Sequence, residues 1–243
     1  MRWLDLIRTV QWANPFATHQ PVLWHIASRS TLTMLEFGCG DGSTALLHRV
    51  SDERNTPLIT FDTDAAWLGR YAPSMESRLH QFRLVSSWED TLASAEWDDR
   101  RYGLVFVDQE PWEARVTTIH RFRLMAEYIV LHDADYLPTH GLMGRAIRPI
   151  VGPDDVGSRT YDDVFTSYKE FFPPEPWPLR ETGPPTLLGS NFNDCAMDID
   201  CSAFSPPNWA RRPIFRVHAV AGLAGQALRT AGRVAASRRR RSD

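Results

Sequence analysis

Short apolar runs alternate along this chain with longer segments whose apolar positions recur at helical spacing. Residues 32–37, 58–62, 81–86, 102–108 and 127–133 read as strands, with a late one over 186–191. Between them, 43–50, 65–78 and 111–126 read as crossover helices, the last with an apolar stripe of Trp112, Val116, Ile119 and Met125. Alternation at this pace predicts an α/β fold, a doubly wound and mostly parallel sheet. Residues 3–13 and 19–28 show helical spacing ahead of the first strand, either as packing on the sheet edge or as a cover over a ligand loop. Past residue 136 the pattern loosens into a turn-rich connection at 150–160, an aromatic amphipathic helix at 161–172 and a proline-rich loop at 173–185. Phe171, Phe172 and Trp177 there either wall a substrate or seal the far sheet edge. The expected organisation is a helical cover over 1–30, an α/β domain over 31–210 with a substrate-facing insertion at 136–185, and a basic tail over 211–243.

Composition narrows the class. With 243 residues, 43% hydrophobic and 23% charged, the chain has the make-up of one soluble domain with additions. It shows no signal-peptide pattern and no apolar run of the ~20 residues a membrane span needs, so a cytoplasmic protein is expected. The cysteines Cys39, Cys195 and Cys201 lack zinc-type spacing and read as reduced thiols. The formal charge of −3 hides an asymmetry: residues 211–243 hold nine arginines and one acid, a net +8, which leaves the body at −11. An acidic body argues against nucleic acid as the main partner. The tail reads as a solubilising segment or as a basic surface for contact with an anionic membrane.

The chemistry gathers where strands end. After the run Leu32 to Phe37 come Gly38, Gly40 and Gly42 at every second position, then residues able to start a helix. A strand, a tight glycine turn and a helix N-terminus make a cradle that a ligand can approach closely. Asp62 closes the next strand 20 positions after Gly42, the spacing that sets an acid beside the ribose hydroxyls of a nucleotide. Ser87 and Trp88 follow the third strand, Asp108 ends the fourth, and His132 with Asp133 ends the fifth. One sheet edge is thus expected to collect Glu36, Asp62, Ser87, Asp108, His132 and Asp133. His19 and His25 receive no role from the sequence.

Through EFGCGDGST, FDTD, FVD and LHD, residues 17–135 resemble the class I S-adenosylmethionine-dependent methyltransferases. The first motif and the HD ending are similar to a bacterial subset akin to the family-24 methyltransferases. The resemblance implies a Rossmann-like sheet and methyl transfer to an oxygen, or a nitrogen, of a small-molecule substrate. It implies that Glu36, Gly38 and Gly40 hold the methionine part of S-adenosylmethionine, Asp62 the ribose, and Ser87 and Trp88 the adenine, with Asp41, Gly42 and Ser43 also binding the cofactor. Asp108 would contact the cofactor's amino group, and His132 beside Asp133 would take the proton. Asp108, Gln109, Glu110 and Pro111 stand where that subset carries DGxH, and the PGG turn before strand five is missing. This departure leaves a second reading, a non-catalytic binder of S-adenosylmethionine or S-adenosylhomocysteine. Asp108, His132 and Asp133 also match positions that bind magnesium in related methyltransferases, although a histidine suits magnesium poorly and no metal is the expectation.

Overall fold

The computed structural model of the protein describes residues 16–134, 164–171 and 184–196. The expected helix at 3–13, Phe172, Trp177, most of the proline-rich loop and the basic tail lie outside the described residues. Seven strands form one sheet: β1 (Met34–Phe37), β2 (Leu58–Asp62), β3 (His80–Leu84), β4 (Tyr102–Val107), β5 (Ala126–Leu131), β6 (Ser167–Phe171) and β7 (Thr186–Ser190), in the order β3-β2-β1-β4-β5-β7-β6. The first five run parallel, and β7 is antiparallel to both β5 and β6. The order reverses between β1 and β4, and in open α/β sheets ligands bind beyond the carboxyl ends of the strands at that point.

Helices α1 (Gln20–Ala27), α2 (Thr44–Arg54), α3 (Ala65–Met75), α4 (Trp88–Ala93) and α5 (Trp112–Phe122) cover the sheet. Because strand side chains alternate, residues of one parity face one layer. Leu35, Phe37, Phe61, Val105, Val107, Ile129 and Leu131 pack with Trp97, Ile119 and Phe122. Met34, Leu58, Leu104, Phe106, Val130 and Leu188 pack with Val22, Leu46, Leu47 and Val50. Burial on both faces is why these strands read as continuous apolar runs. Phe37 sits at the centre of the first layer, 5.1 Å from the Phe61 ring and 5.3 Å from Phe122, and its truncation to alanine would cost about 3–5 kcal/mol. Glu36, Thr60 and His80 break the second layer, each fully buried where an apolar side chain would serve.

Capping residues stop and start the helices where the strands need them. Asp64 accepts a hydrogen bond from the Ala66 N–H at the start of α3, and Ser87 accepts one from Asp90 at the start of α4. Asn55 ends α2 in the left-handed conformation.

The segment read as an aromatic helix at 161–172 is corrected by the structure: Ser167–Phe171 is edge strand β6, paired along its length with β7. Tertiary pairing overrides the local spacing here. Phe165 lies over Gly189 of β7, where an added Cβ would come within 2.5 Å of its ring, and Phe171 is buried in the second layer. The late strand falls where the sequence placed it. Among the described residues no helix is long and apolar enough to cross a membrane.

Candidate functional site

The glycine loop turns directly after β1. Gly38 has φ of +97°, and an added Cβ would stand 2.6 Å from the backbone carbon of Asp108, so glycine is required both by conformation and by the approach of β4. Gly40 differs: a Cβ there would meet nothing within 4 Å. Its open side is where a ligand can reach the backbone. Gly42 lies against His19, whose ring would be 2.8 Å from an added Cβ, and Gln20 of α1 donates to the Gly42 carbonyl at 2.8 Å. The start of the helix before the first strand therefore touches the loop at Gly42.

Asp62 ties the loop to β2. Its Oδ2 accepts from the Cys39 N–H at 2.7 Å, and its Oδ1 from the Asp64 N–H at 2.8 Å. Asp41 is anchored to α3 by Arg70 at 3.1 Å and by the Tyr71 hydroxyl. Glu36 lies behind the loop, fully buried, where Ser43 Oγ donates to it at 2.6 Å, Thr60 Oγ1 at 2.6 Å and Thr44 Oγ1 at 3.0 Å. Burial pushes its carboxyl up to about 7 against the pull of these hydroxyls, with Asp108 adding to the rise. Glu36 therefore braces the loop from inside. Burial likewise pushes the Cys39 thiol up to about 12, which leaves it a packing residue.

Beside Asp62 a cleft of about 700 Å³ opens at the carboxyl ends of β2 and β3, bounded by Thr63, Ser87, Trp88, Glu110 and Pro111. Trp88 is its floor: the indole is 6% exposed and donates to the Glu110 carbonyl at 2.7 Å. Ser87 sits at the rim as the helix cap. A second cavity, of about 280 Å³, lies at the opposite strand ends among Thr33, Pro57 and Tyr102, and no candidate residue touches it.

Asp108, His132 and Asp133 converge as the sequence suggested, with ligand-type atoms all within 4.8 Å of one another. Asp133 has φ of +53°, a strained setting for a non-glycine residue. His132 Nδ1 lies 3.2 Å from both Asp108 Oδ1 and Asp133 Oδ1, and Nε2 lies 2.6 Å from the Phe16 carbonyl. Each ring nitrogen faces acceptors only, which requires a proton on each. Burial would depress this imidazole, but the Asp133 and Asp108 carboxylates outweigh it and push the group up to about 10. Burial opposes ionisation of Asp133 as well, and the His132 imidazolium and Arg115 reverse that and hold its carboxyl below the usual range.

Arg115 is the residue the sequence reading missed. Its guanidinium, 3% exposed, lies 3.1 Å from Asp108 Oδ1 and 3.6 Å from Asp133 Oδ2. It also donates to the backbone carbonyls of Gln109, His132 and Asp108 at 2.8, 3.0 and 3.2 Å. On α5, Arg115, Thr118, Ile119 and Phe122 form the buried stripe. The signal was an arginine on the same helical face as Ile119. Two cations thus stand against two carboxylates, with the guanidinium against one oxygen of each, and a histidine stands where magnesium would prefer an oxygen. The donor set does not fit magnesium. The glycine cradle and Asp62 do fit a nucleoside cofactor, because Gly40 is open and the Asp62 carboxylate sits between loop and cleft.

No family model matches the chain, and no curated protein matches it. Among solved structures it is similar to a candidate O-methyltransferase from Klebsiella pneumoniae, at 15% identity and a TM-score of 0.51 over 76% of this chain and 88% of that one. It is also similar to the O-methyltransferase from Bacillus cereus in complex with S-adenosylhomocysteine, at 12% identity and a TM-score of 0.48 over 76% and 88%. The first of these likenesses shows a Rossmann-like fold.

Proposed function

We propose that this chain binds S-adenosylmethionine and transfers its methyl group to an oxygen, or a nitrogen, of a small molecule. The observation that carries the reading is the position of Asp62, which bonds the glycine loop through Cys39 and borders the cleft through Thr63. The motif LEFGCGDGST and the HD ending of strand five support a place near the family-24-like bacterial subset.

S-adenosylmethionine, when bound, supplies an electrophilic methyl group on sulfur. The residues of the chain orient it. Asp62 has further lone pairs to accept ribose hydroxyls, the Gly40 backbone receives the methionine part, and Thr63, Ser87 and Trp88 border the space for the adenine. Attack on a methyl group needs an in-line nucleophile, so positioning supplies much of the rate. In the described arrangement His132 holds a proton on both nitrogens and has no lone pair with which to accept another. It acts there as a cation that, with Arg115, steadies Asp108 and Asp133 beside the loop, in place of the proton-accepting role expected from the sequence.

Calorimetry with S-adenosylhomocysteine tests the reading. Asp62→Ala is expected to weaken binding by about 1.5–3 kcal/mol, the worth of a hydrogen bond to a charged group. Affinity unchanged in that variant would remove the ribose assignment. Chelator is expected to leave both affinity and turnover unaltered, since Arg115 and His132 already balance the charge of Asp108 and Asp133.

A further inference from the structure

The polar break in the second core layer is continuous from strand to strand. Thr60 Oγ1 donates to Glu36 Oε2 at 2.6 Å and lies 2.8 Å from His80 Nε2. His80 Nδ1 lies 3.1 Å from His48 Nδ1 on α2, and His48 Nε2 lies 3.5 Å from Asp52. Glu36, Thr60 and His80 are fully buried, whereas the side chain of His48 is 21% exposed and that of Asp52 is 54% exposed. The chain therefore runs from solvent to the carboxyl behind the glycine loop.

Hydrogen-bond bookkeeping allows this chain two states of opposite polarity. With Glu36 ionised, Thr60 donates to it, so His80 Nε2 carries a proton and donates to Thr60. His80 Nδ1 is then bare and accepts from the Nδ1–H of a neutral His48, which becomes a cation when it takes a proton from solvent on Nε2, facing Asp52. Moving one proton along each link reverses the sequence. His48 gives its Nδ1 proton to His80, His80 gives its Nε2 proton to Thr60, and Thr60 gives its own to Glu36. His48 ends neutral, His80 neutral with the proton on Nδ1, Thr60 a hydroxyl, and Glu36 a carboxylic acid. Every atom keeps a partner in both states, and no charge rests on His80. Its depressed basicity, down to about 3 through burial and the neighbouring His48, suits that role.

We propose that Glu36, Thr60, His80 and His48 form a proton path through which solvent sets the charge behind the glycine loop, and with it the loop's hold on its ligand. The second half of the proposal rests on reading the loop as the cofactor site. Thr44 Oγ1 is the link: it accepts from the Gly40 N–H at 2.9 Å and donates to Glu36 at 3.0 Å. An ionised Glu36 makes charge-assisted bonds to Ser43, Thr44 and Thr60, about twice as strong as neutral ones, and so fixes the loop more firmly. The titratable and charged groups around the path are Asp108 from the end of β4, Cys39 from the loop, His80 from β3, and His48 with Asp52 from α2. Burial brings the Glu36 carboxyl to about 7, so the change of state falls near neutral pH.

Nitrogen NMR of the histidine rings of the full chain, without ligand, tests the path between about pH 5.5 and about pH 8.5. The His80 ring is expected to exchange the Nε2–H form for the Nδ1–H form as pH falls, staying neutral, while His48 passes on to the path a proton taken from solvent. In Glu36→Gln and in Thr60→Val that exchange is expected to vanish, and Thr60→Ser is expected to restore it. A His80 tautomer that ignores pH in the unaltered chain, or that still switches in Glu36→Gln, overturns the path. If the glutamine variant does not fold, the valine and serine pair makes the same distinction. Calorimetry with S-adenosylhomocysteine then tests the coupling: affinity is expected to rise roughly three- to tenfold from about pH 6 to about pH 8, and to be flat in Thr60→Val. Binding without that rise overturns the coupling. Absence of binding at every pH sinks the cofactor reading and the coupling together, while the ligand-free tautomer result still decides the path.

Discussion

Behind the glycine loop Glu36 is surrounded by hydroxyls, whereas at the ends of the next two strands Asp108 and Asp133 stand against cations. Both settings satisfy carboxyl groups withdrawn wholly or partly from water, and they do so with opposite results. Hydroxyls return only part of the hydration lost on burial, so Glu36 is pushed up to about 7. Arg115 and His132 return more than was lost, so Asp133 stays ionised well below the usual carboxylate range. The first setting can change its charge near neutral pH, and in the second Asp133 is held ionised. A sheet edge can therefore place an adjustable carboxyl close to a fixed one.

The largest expected effect breaks the ionised side. Arg115→Leu leaves two carboxylates with one cation and strips three carbonyls of a donor, and should cost about 3–5 kcal/mol in denaturant unfolding. A loss below about 1 kcal/mol would show that the carboxylates find compensation elsewhere.

The seam between the two sides comes next. Gly38→Ala drives a Cβ to 2.6 Å from the Asp108 backbone at a positive φ, so strain of about 1–3 kcal/mol is expected before any backbone shift is counted. Gly40→Ala, with nothing within 4 Å, should leave thermal stability unchanged and weaken cofactor binding. Equal melting temperatures for the two variants would erase the distinction drawn between those glycines.

Smaller differences appear only as pH is varied. His132 takes up its proton more readily folded than unfolded, so its contribution is complete below about 6.5 and fades as pH rises toward about 10. Stability of the unaltered chain relative to His132→Gln should therefore decline across that alkaline window. Turnover separates the roles further, since loss of a general base lowers it by roughly 10²–10⁴ and loss of a distant cation by less.

Glu36 shows the same sign in another window. Its folded value lies above the ordinary 4.5, so folding takes up a proton and stability falls as pH rises from about 4.5 to about 7. Glu36→Gln should flatten that slope at a cost of about 1 kcal/mol or less at acid pH. An unchanged slope would place the titration elsewhere.

The parts legible in the sequence were those whose pattern is local. Apolar strand runs, the glycine turn and the acids at strand ends depend on a few consecutive residues, and β1, β2, β4, β5 and β7 appear where the pattern puts them. Strand β6 did not show because its partner lies later in the chain and its aromatic residues also fit a helical stripe. Arg115 stayed hidden because charge on a helix ordinarily means solvent. Its place one turn before Ile119 was the clue, and only the carboxylates supplied by two other strands explain it. Thr60 and His80 were similarly visible as polar residues at the inward positions of apolar strands. Their continuity across β1, β2 and β3 required the register.

The insertion of β7 between β5 and β6 also fixes an order of events on the ribosome. Strand β6 emerges first but, among the described residues, has its backbone partner only in β7, so the β5–β7–β6 edge cannot be closed until residues 186–190 have been synthesised. At about 5–20 residues per second, β5 waits several seconds with an unpaired edge, the kind of surface on which nascent chains associate. A transcript truncated within that interval would yield a polypeptide that has its glycine loop and charged crevice, yet carries a strand edge open to any neighbouring chain.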